Sequence, residues 1–238
     1  MSFRKEIKMT KKLGDVTRTV KPVLSPVHPD ITKYIDTLLT GHNEEVLNEM
    51  EALARKNRFP IVERQVGVFL EVMARAIGAK RIFEFGSGYG YSAYFFTKAV
   101  GEDGKVICTD GMNENAKMAR EYLTRVGRWD RVEFMVGWAQ DMFEKLDGDF
   151  DVIYNDVDKG DYPEVWEMAK KRLRPGGLYI ADNTLWFGRV TQEVVTEDIV
   201  PGWAEAIKEH NSLIAGDPDF DFFLNPTRDG VIVARKKD

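Results

Sequence analysis

The sequence predicts an α/β fold in which a mostly parallel sheet carries helices on both faces and ends in an antiparallel C-terminal hairpin. Three observations carry that prediction. Short apolar runs alternate with helix-period segments between residues 81 and 182; the first run leads into the glycine-rich turn Glu84-Phe85-Gly86-Ser87-Gly88-Tyr89-Gly90; and the last two apolar runs leave no room for a helix between them. A helical crossover returns the chain to the end where the previous strand began, so the strands it joins run parallel, whereas a short turn makes its strands antiparallel.

The elements follow in order. Residues 1–29 read as a basic arm with prolines at 22, 26 and 29. A first helix is expected from about Asp30, as N-cap, to Leu39. A second carries Val46, Leu47, Met50, Leu53 and Ala54 as an apolar stripe, and a third over 62–77 presents Val66, Phe69, Leu70, Met73 and Ile77 before stopping at Gly78. Strands are expected at 81–85, 105–110, 131–136, 150–156 and 178–182, and helices at 91–100, 114–126, 139–146 and 162–173, with Pro175-Gly176-Gly177 as a turn. After a helix near 199–212, the runs 220–224 and 231–235 form the hairpin.

Composition narrows the function. With 238 residues, 43% apolar and 31% charged, the chain reads as an ordinary soluble globule with room for a large core. A net charge of −5 argues against an electrostatic nucleic-acid binder, although through Lys21 the arm carries +5 and the remainder −10. No apolar stretch is long enough for a membrane span or a signal peptide, and the single cysteine excludes an intrachain disulfide and a Cys-rich zinc site. These features place the protein in the cytoplasm, with Cys108 as an inert core thiol.

Ligands of open α/β sheets bind at the carboxyl ends of the strands. Glu84, Asp110, Asp156, Asp158, Asp182 and Asn183 all fall there. The glycines at 86, 88 and 90 let backbone turn sharply and approach a ligand, with the next helix presenting free N–H groups. A dinucleotide fingerprint would need a third glycine at 91, where Tyr91 stands, and this weighs against a dehydrogenase. Asp110, 24 residues after Gly86, suits ribose hydroxyls. Asp156, Asp182 and Asn183 offer the hard oxygen set that magnesium, calcium or manganese accepts, while Asp182-Asn183 reads equally as a turn or helix cap. The histidines at 28, 42 and 210 fall outside this set and read as surface or helix-end residues.

The turn Glu84 to Ser92, the run Asp151-Val152-Ile153-Tyr154-Asn155-Asp156-Val157-Asp158-Lys159, the segment 182–190 and Arg228-Asp229-Gly230 together resemble the cation-dependent O-methyltransferases of the caffeoyl-CoA and catechol type, over about 59–237. The resemblance implies a Rossmann-like class I methyltransferase with a seven-stranded sheet whose last strand is inserted antiparallel. It divides the chain into an arm with helices packing on the core, 1–58, and an S-adenosylmethionine-dependent methyltransferase domain, 59–238. Carried over by position, Glu84, Gly86, Ser87, Gly88, Tyr89, Ser92, Asp110 and Asp156 would face S-adenosylmethionine, with Gly137, Trp138 and Ala139 near its adenine. Asp156, Asp182 and Asn183 would hold a divalent cation, and Lys159 matches the family's proposed general base beside Asp158.

Three departures stand out: Asn155 occupies a position usually apolar in the family, Pro60 to Gly67 lacks the usual family sequence ahead of the third helix, and the first 58 residues align with nothing; the last two regions supply substrate specificity in the family. The acceptor implied is a small phenol or vicinal diol, against an aromatic wall of Trp186, Phe187, Trp203 and Tyr162. Two rival functions remain: methylation of RNA or protein through the basic arm, and a non-catalytic cofactor-binding module. The stripes at 46–54 and 66–77 exceed the needs of one sheet face, and with the related enzymes' pairing they imply a homodimer.

Overall fold

Seven strands form one sheet in the computed structural model, which describes residues 26–39, 44–191 and 198–238. The arm over 1–21 and His42 lie outside the described residues. The elements are α1 (Pro29–Leu38), α2 (Glu45–Asn57), α3 (Glu63–Ala76), β1 (Arg81–Phe85), α4 (Tyr91–Val100), β2 (Lys105–Asp110), α5 (Asn113–Arg125), β3 (Val132–Val136), α6 (Ala139–Glu144), β4 (Phe150–Asn155), α7 (Tyr162–Ala169), β5 (Leu173–Ala181), α8 (Trp203–Gly216), β6 (Phe220–Asn225) and β7 (Val231–Lys236).

The strand order is β3-β2-β1-β4-β5-β7-β6, with β1 to β5 parallel and β7 antiparallel to both neighbours. The expected architecture is therefore present, with β7 inserted between β5 and the edge strand β6. The order reverses between β1 and β4, the point at which parallel α/β sheets open a crevice. Side chains alternate across the sheet. Ile82, Val152, Tyr154, Leu178 and Ile180 join α2 to α5 in one core, while Phe83, Phe85, Ile153, Tyr179 and Ala181 join α6, α7 and α8 in the other.

Several expectations are corrected. His28, not Asp30, caps α1: its Nδ1 accepts from the Asp30 N–H at 3.2 Å, and Pro29 takes the first helical position. Pro175-Gly176-Gly177 is a bulge inside β5 rather than a turn before it; a Cβ at Gly177 would stand 2.9 Å from the Arg174 carbonyl oxygen and 3.1 Å from that of Asp151. With β5 starting at Leu173, α7 ends early, at Ala169. Helix α8 starts at Trp203, after Pro201-Gly202, and Asp198 Oδ2 accepts from the Ala204 N–H at 2.7 Å. The stripes at 46–54 and 66–77 are consumed inside the chain, where Val46, Leu47, Met50, Ala54, Val66, Leu70 and Ala74 are buried in the first core.

Close approach of α3 and α4 depends on Gly67, since a Cβ there would lie 2.2 Å from the Phe95 ring. Overpacking costs about 1–3 kcal/mol, and valine, a poor helix former, recovers little of it. Gly67→Val is expected to lower stability by about 2 kcal/mol, seen as a Tm drop of about 4–8 °C by calorimetry. An unchanged Tm would show that the contact gives way freely.

Candidate active site

At the β1/β4 switch point the backbone folds tightly. Gly86, Gly88 and Gly90 all have positive φ (83°, 51° and 87°), and a Cβ at Gly86 would lie 2.7 Å from the Asp156 carbonyl oxygen. The glycine turn is thus pressed against the end of β4. Thr109, which the motif reading missed, pins the turn from β2. Its Oγ1 donates to the Glu84 carbonyl at 2.6 Å and accepts from the Gly86 N–H at 3.1 Å, while its own carbonyl accepts from the Ser87 N–H at 2.7 Å. The only signal in sequence was its place next to Asp110.

Of the residues expected to face a cofactor, Glu84 is fully buried at the turn. Its Oε2 accepts from Ser87 Oγ at 2.7 Å and Cys108 Sγ at 3.3 Å, and its Oε1 has no partner. Burial pushes Glu84 up to about 7, against the hydrogen bonds of Ser87 and Cys108 and the nearby Ser92 hydroxyl. Cys108 is a core thiol as expected, but its setting is not apolar: burial and the adjacent Glu84 both raise it. Asp110 Oδ1 accepts from the Met112 N–H at 2.7 Å and from Asn115 Nδ2 at 2.9 Å, so Asn115 is a second residue the motifs did not reveal. Burial raises Asp110 as well, against the N–H groups of Met112 and Gly88 and the Asn115 amide. Gly137 donates its N–H to the Asp110 carbonyl at 2.9 Å, which sets Trp138, 66% exposed, and Ala139 at the start of α6 beyond β3. Tyr89 points the other way. Its hydroxyl donates to the Met50 carbonyl at 2.9 Å and its ring packs on Phe59, so its hydroxyl is committed to α2.

The expected metal donors lie at the ends of β4 and β5, each held by an internal partner. Lys159 Nζ donates to Asp156 Oδ1 at 2.8 Å and to the Val157 carbonyl at 3.1 Å. Arg228 Nη1 donates to Asp182 Oδ2 at 2.6 Å. The Asn183 amide nitrogen donates to both carboxylate oxygens of Asp229, at 2.9 and 3.0 Å, which leaves its carbonyl oxygen for another partner. Asp182 Oδ1 is buried with no partner. Burial pushes Asp156 up to about 6, with the Lys159 cation opposing and the Asp182 carboxylate adding to the rise. Among the described residues no three His, Cys, Asp or Glu side chains are grouped to hold a metal by themselves. The trio Asp156, Asp182 and Asn183 takes its third donor from an amide, and the unpartnered Asp182 oxygen gives it the chemistry a divalent cation needs. Asp158 lies exposed just before the 3-10 turn Lys159–Asp161.

His210 corrects the surface reading: it is fully buried on α8. Its Nε2 lies 2.9 Å from the Tyr179 hydroxyl, which accepts from Asn155 Nδ2 at 2.9 Å. On its other side His210 Nδ1 meets Asn211 Oδ1 at 3.1 Å, and Asn211 donates to the Thr184 carbonyl at 2.7 Å. Asn155 is thus one end of a buried chain. The aromatic wall is mostly core, with Tyr162 and Trp186 buried and Phe187 and Trp203 packed against the same cluster.

A glycine turn at the switch point with carboxylates on every neighbouring strand end defines a Rossmann-like enzyme for a nucleotide-type cofactor, and comparison with known proteins names the family. The O-methyltransferase family model matches residues 39–237, starting well before the Phe59 at which the sequence resemblance begins. A catechol O-methyltransferase from Niastella koreensis is 32% identical over 181 residues, covering 74% of this chain and 82% of that one. Caffeoyl-CoA O-methyltransferase 2 from Zea mays is 28% identical over 218 residues, covering 87% and 83%. The structure of the O-methyltransferase from Bacillus cereus, in complex with SAH, matches with a TM-score of 0.77 at 27% identity over 87% of this chain and 97% of that one. The chain belongs to the O-methyltransferase family and is an enzyme of the caffeoyl-CoA and catechol type.

Glu84 supplies a pH test. Its pKa rises from 4.5 to about 7 on folding, so the folded protein keeps a proton that the unfolded chain releases, and stability falls as pH rises through that window. The accumulated cost above pH 7 is about 3 kcal/mol. Cofactor-free Glu84→Gln is therefore expected to be more stable than the parent at pH 8, with the gap closing toward pH 5, in urea unfolding at both values. A gap independent of pH would place the proton elsewhere.

Proposed function

We propose that this enzyme transfers the methyl group of S-adenosylmethionine to a hydroxyl of a small vicinal diol, a catechol-like phenol, with a divalent cation, magnesium in the first instance, held by Asp156, Asp182 and Asn183. The observation that carries the reading is the buried, unpartnered Asp182 Oδ1 on the same rim as the glycine turn, with Gly86 in contact with the Asp156 backbone. The names of the relatives support the acceptor class, since they include a catechol and a caffeoyl-CoA O-methyltransferase.

The chemical problem is to ionise a phenol. Its pKa of about 10 leaves it protonated at neutral pH and a poor nucleophile. A bound cation would supply Lewis-acid stabilisation of the phenolate. This chain's residues do the rest. Glu84 and Asp110 present acidic groups to the cofactor's cationic and ribose ends, the glycine turn admits it without side-chain interference, and Gly137, Trp138 and Ala139 border its base. Lys159 pairs with Asp156 as an ammonium while the site is empty; with a divalent cation on Asp156 that pair would weaken, the ammonium would release its proton to solvent, and the neutral amine would receive the hydroxyl proton. A cavity of ≈ 550 Å³ lies between α2 and α3 and is linked to the site through two of its lining residues, Phe59, which stands over Gly88, and Arg228, which donates to Asp182. It offers the acceptor's remaining bulk a place against Phe59, Pro60 and Ile61.

A screen of phenolic acceptors with S-adenosylmethionine, with and without magnesium, tests donor, acceptor and metal together. Chelation or Asp182→Ala should abolish turnover while cofactor affinity, read by calorimetry, stays near the parent value. Lys159→Ala should lower kcat by about 10²–10⁴-fold, with partial recovery at high pH where the diol ionises unaided. Full activity in excess chelator would refute the metal role, and an unaltered pH–rate profile in Lys159→Ala would remove the lysine as base.

We further propose a homodimer, on an observation different from the core stripes. Helix α1 buries none of its residues and exposes Ile31, Tyr34 and Leu38 at helical spacing. Among the described residues no helix is long and apolar enough to cross a membrane. Light scattering should give twice the chain mass of 27.2 kDa, and Tyr34→Glu should shift it toward the monomer. A single-chain mass for the parent at working concentration would count against pairing.

A further inference from the structure

The cation site contains an arginine whose position is costly. Arg228 has φ 58°, in the left-handed region that an arginine pays to occupy, and its guanidinium donates to Asp182 Oδ2 at 2.6 Å. Asp182 is 1% exposed, so this is a buried contact on a residue that the proposed function assigns to the cation. Two further carboxylates lie close to Arg228: Asp229 at 3.7 Å and Glu63 at 4.0 Å.

Charge decides what must happen there. Asp156, Asp182 and Asp229 face Lys159 and Arg228, so the cluster is close to neutral without any added ion. A dication on the free Asp182 Oδ1 would share that carboxylate with the guanidinium on Oδ2, and like charges held on one carboxylate repel in a dry site. Each resident cation must then lose its proton or move. Lys159 can do only the first, as the proposed base must: its side chain is 9% exposed and holds both Asp156 and the Val157 carbonyl. The guanidinium keeps its proton and can only move. Arg228 is 26% exposed, borders the cavity, and has an alternative partner in Glu63, which is 68% exposed.

We propose that Arg228 is a displaceable counter-ion of the cation site, holding Asp182 in place while the site is empty and passing to Glu63 at the cavity wall when the cation is taken up. This rests on the cation reading above. Arg228 is then a positioning residue. It keeps a buried carboxylate from standing unpaired, and it competes with the ion that replaces it.

The test is a titration of the full-length, cofactor-free protein with Mn²⁺, following free Mn²⁺ by electron paramagnetic resonance. Arg228→Gln removes the competitor, so Mn²⁺ affinity should rise about tenfold over the parent, while Arg228→Lys, which keeps the charge, should stay nearer the parent value. In chelator Arg228→Gln should melt below the parent, and Mn²⁺ should close that gap. A merely structural arginine would leave Mn²⁺ binding unchanged or weaken it on removal, and either result overturns the proposal. A second measurement needs no variant. Phenylglyoxal modification of Arg228 in the parent, followed by peptide mass mapping, should be faster in Mn²⁺ than in chelator, and an equal rate overturns the proposal. Parent protein that binds no Mn²⁺ would sink the cation reading along with it, whereas equal Mn²⁺ affinity in parent and Arg228→Gln sinks the counter-ion alone.

Discussion

The site depends on one close approach, that of Gly86 to the end of β4. A Cβ at Gly86 would fall 2.7 Å from the Asp156 carbonyl oxygen, and the Asp156 N–H donates back to the Phe85 carbonyl at 2.9 Å. The turn that would hold the cofactor and the residue that begins the metal set are therefore joined through backbone, at the point where the strand order reverses. Moving either strand end would move both halves of the chemistry. Thr109 extends the same constraint to β2, since its hydroxyl and carbonyl fix Gly86, Ser87 and Glu84 at once.

Much of this was legible in the chain. Arg81–Phe85, Tyr91–Val100 and Lys105–Asp110 match the expected elements to the residue, because each is a local pattern bounded by glycine or a charged end. The strand-end carboxylates were legible for the same reason: topology alone sends them to one rim. What escaped was whatever depends on a distant partner. Pro175-Gly176-Gly177 carries a turn signal, yet β4 pairs with Leu173 before it and Leu178 after it and so keeps it within the sheet as a bulge. His210 reads as a polar position on a helix, and only the Tyr179 hydroxyl beneath it makes burial tolerable. Arg228 read as part of a hairpin motif; its contact with Asp182 spans 46 residues and has no local trace.

Electrostatics in the site follow from burial more than from charge count. Glu84, Asp110 and Asp156 are all pushed upward, with burial as the leading cause in each. Such carboxylates are poorly solvated, and the hydrogen-bond donors to the Glu84 and Asp110 side chains are neutral, which is the state that a cationic ligand relieves. The same condition makes the unliganded site unstable on its own terms. Lys159 and Arg228 reduce that instability from within the chain, and this explains why the two best-formed ion pairs near the rim sit on the two carboxylates assigned to a metal.

The buried chain from Asn155 to Thr184 shows how the sheet supports this rim. Each link has one consistent direction: Asn155 donates to the Tyr179 oxygen, Tyr179 donates to His210 Nε2, His210 Nδ1–H donates to Asn211, and Asn211 donates to the Thr184 carbonyl. That direction requires a neutral imidazole carrying its proton on Nδ1. A doubly protonated ring would turn Nε2 into a donor and leave the Tyr179 hydroxyl proton without its acceptor. Burial enforces the neutral form by lowering His210 to about 4, so the direction is stable at physiological pH. The two ends of the chain stand beside the proposed donors, Asn155 next to Asp156 and Thr184 next to Asn183. Asn155 thus ties the ends of β4 and β5 together through α8. The spacing of the oxygen donors is set in the core of the protein, one layer beneath the residues that would touch the ion.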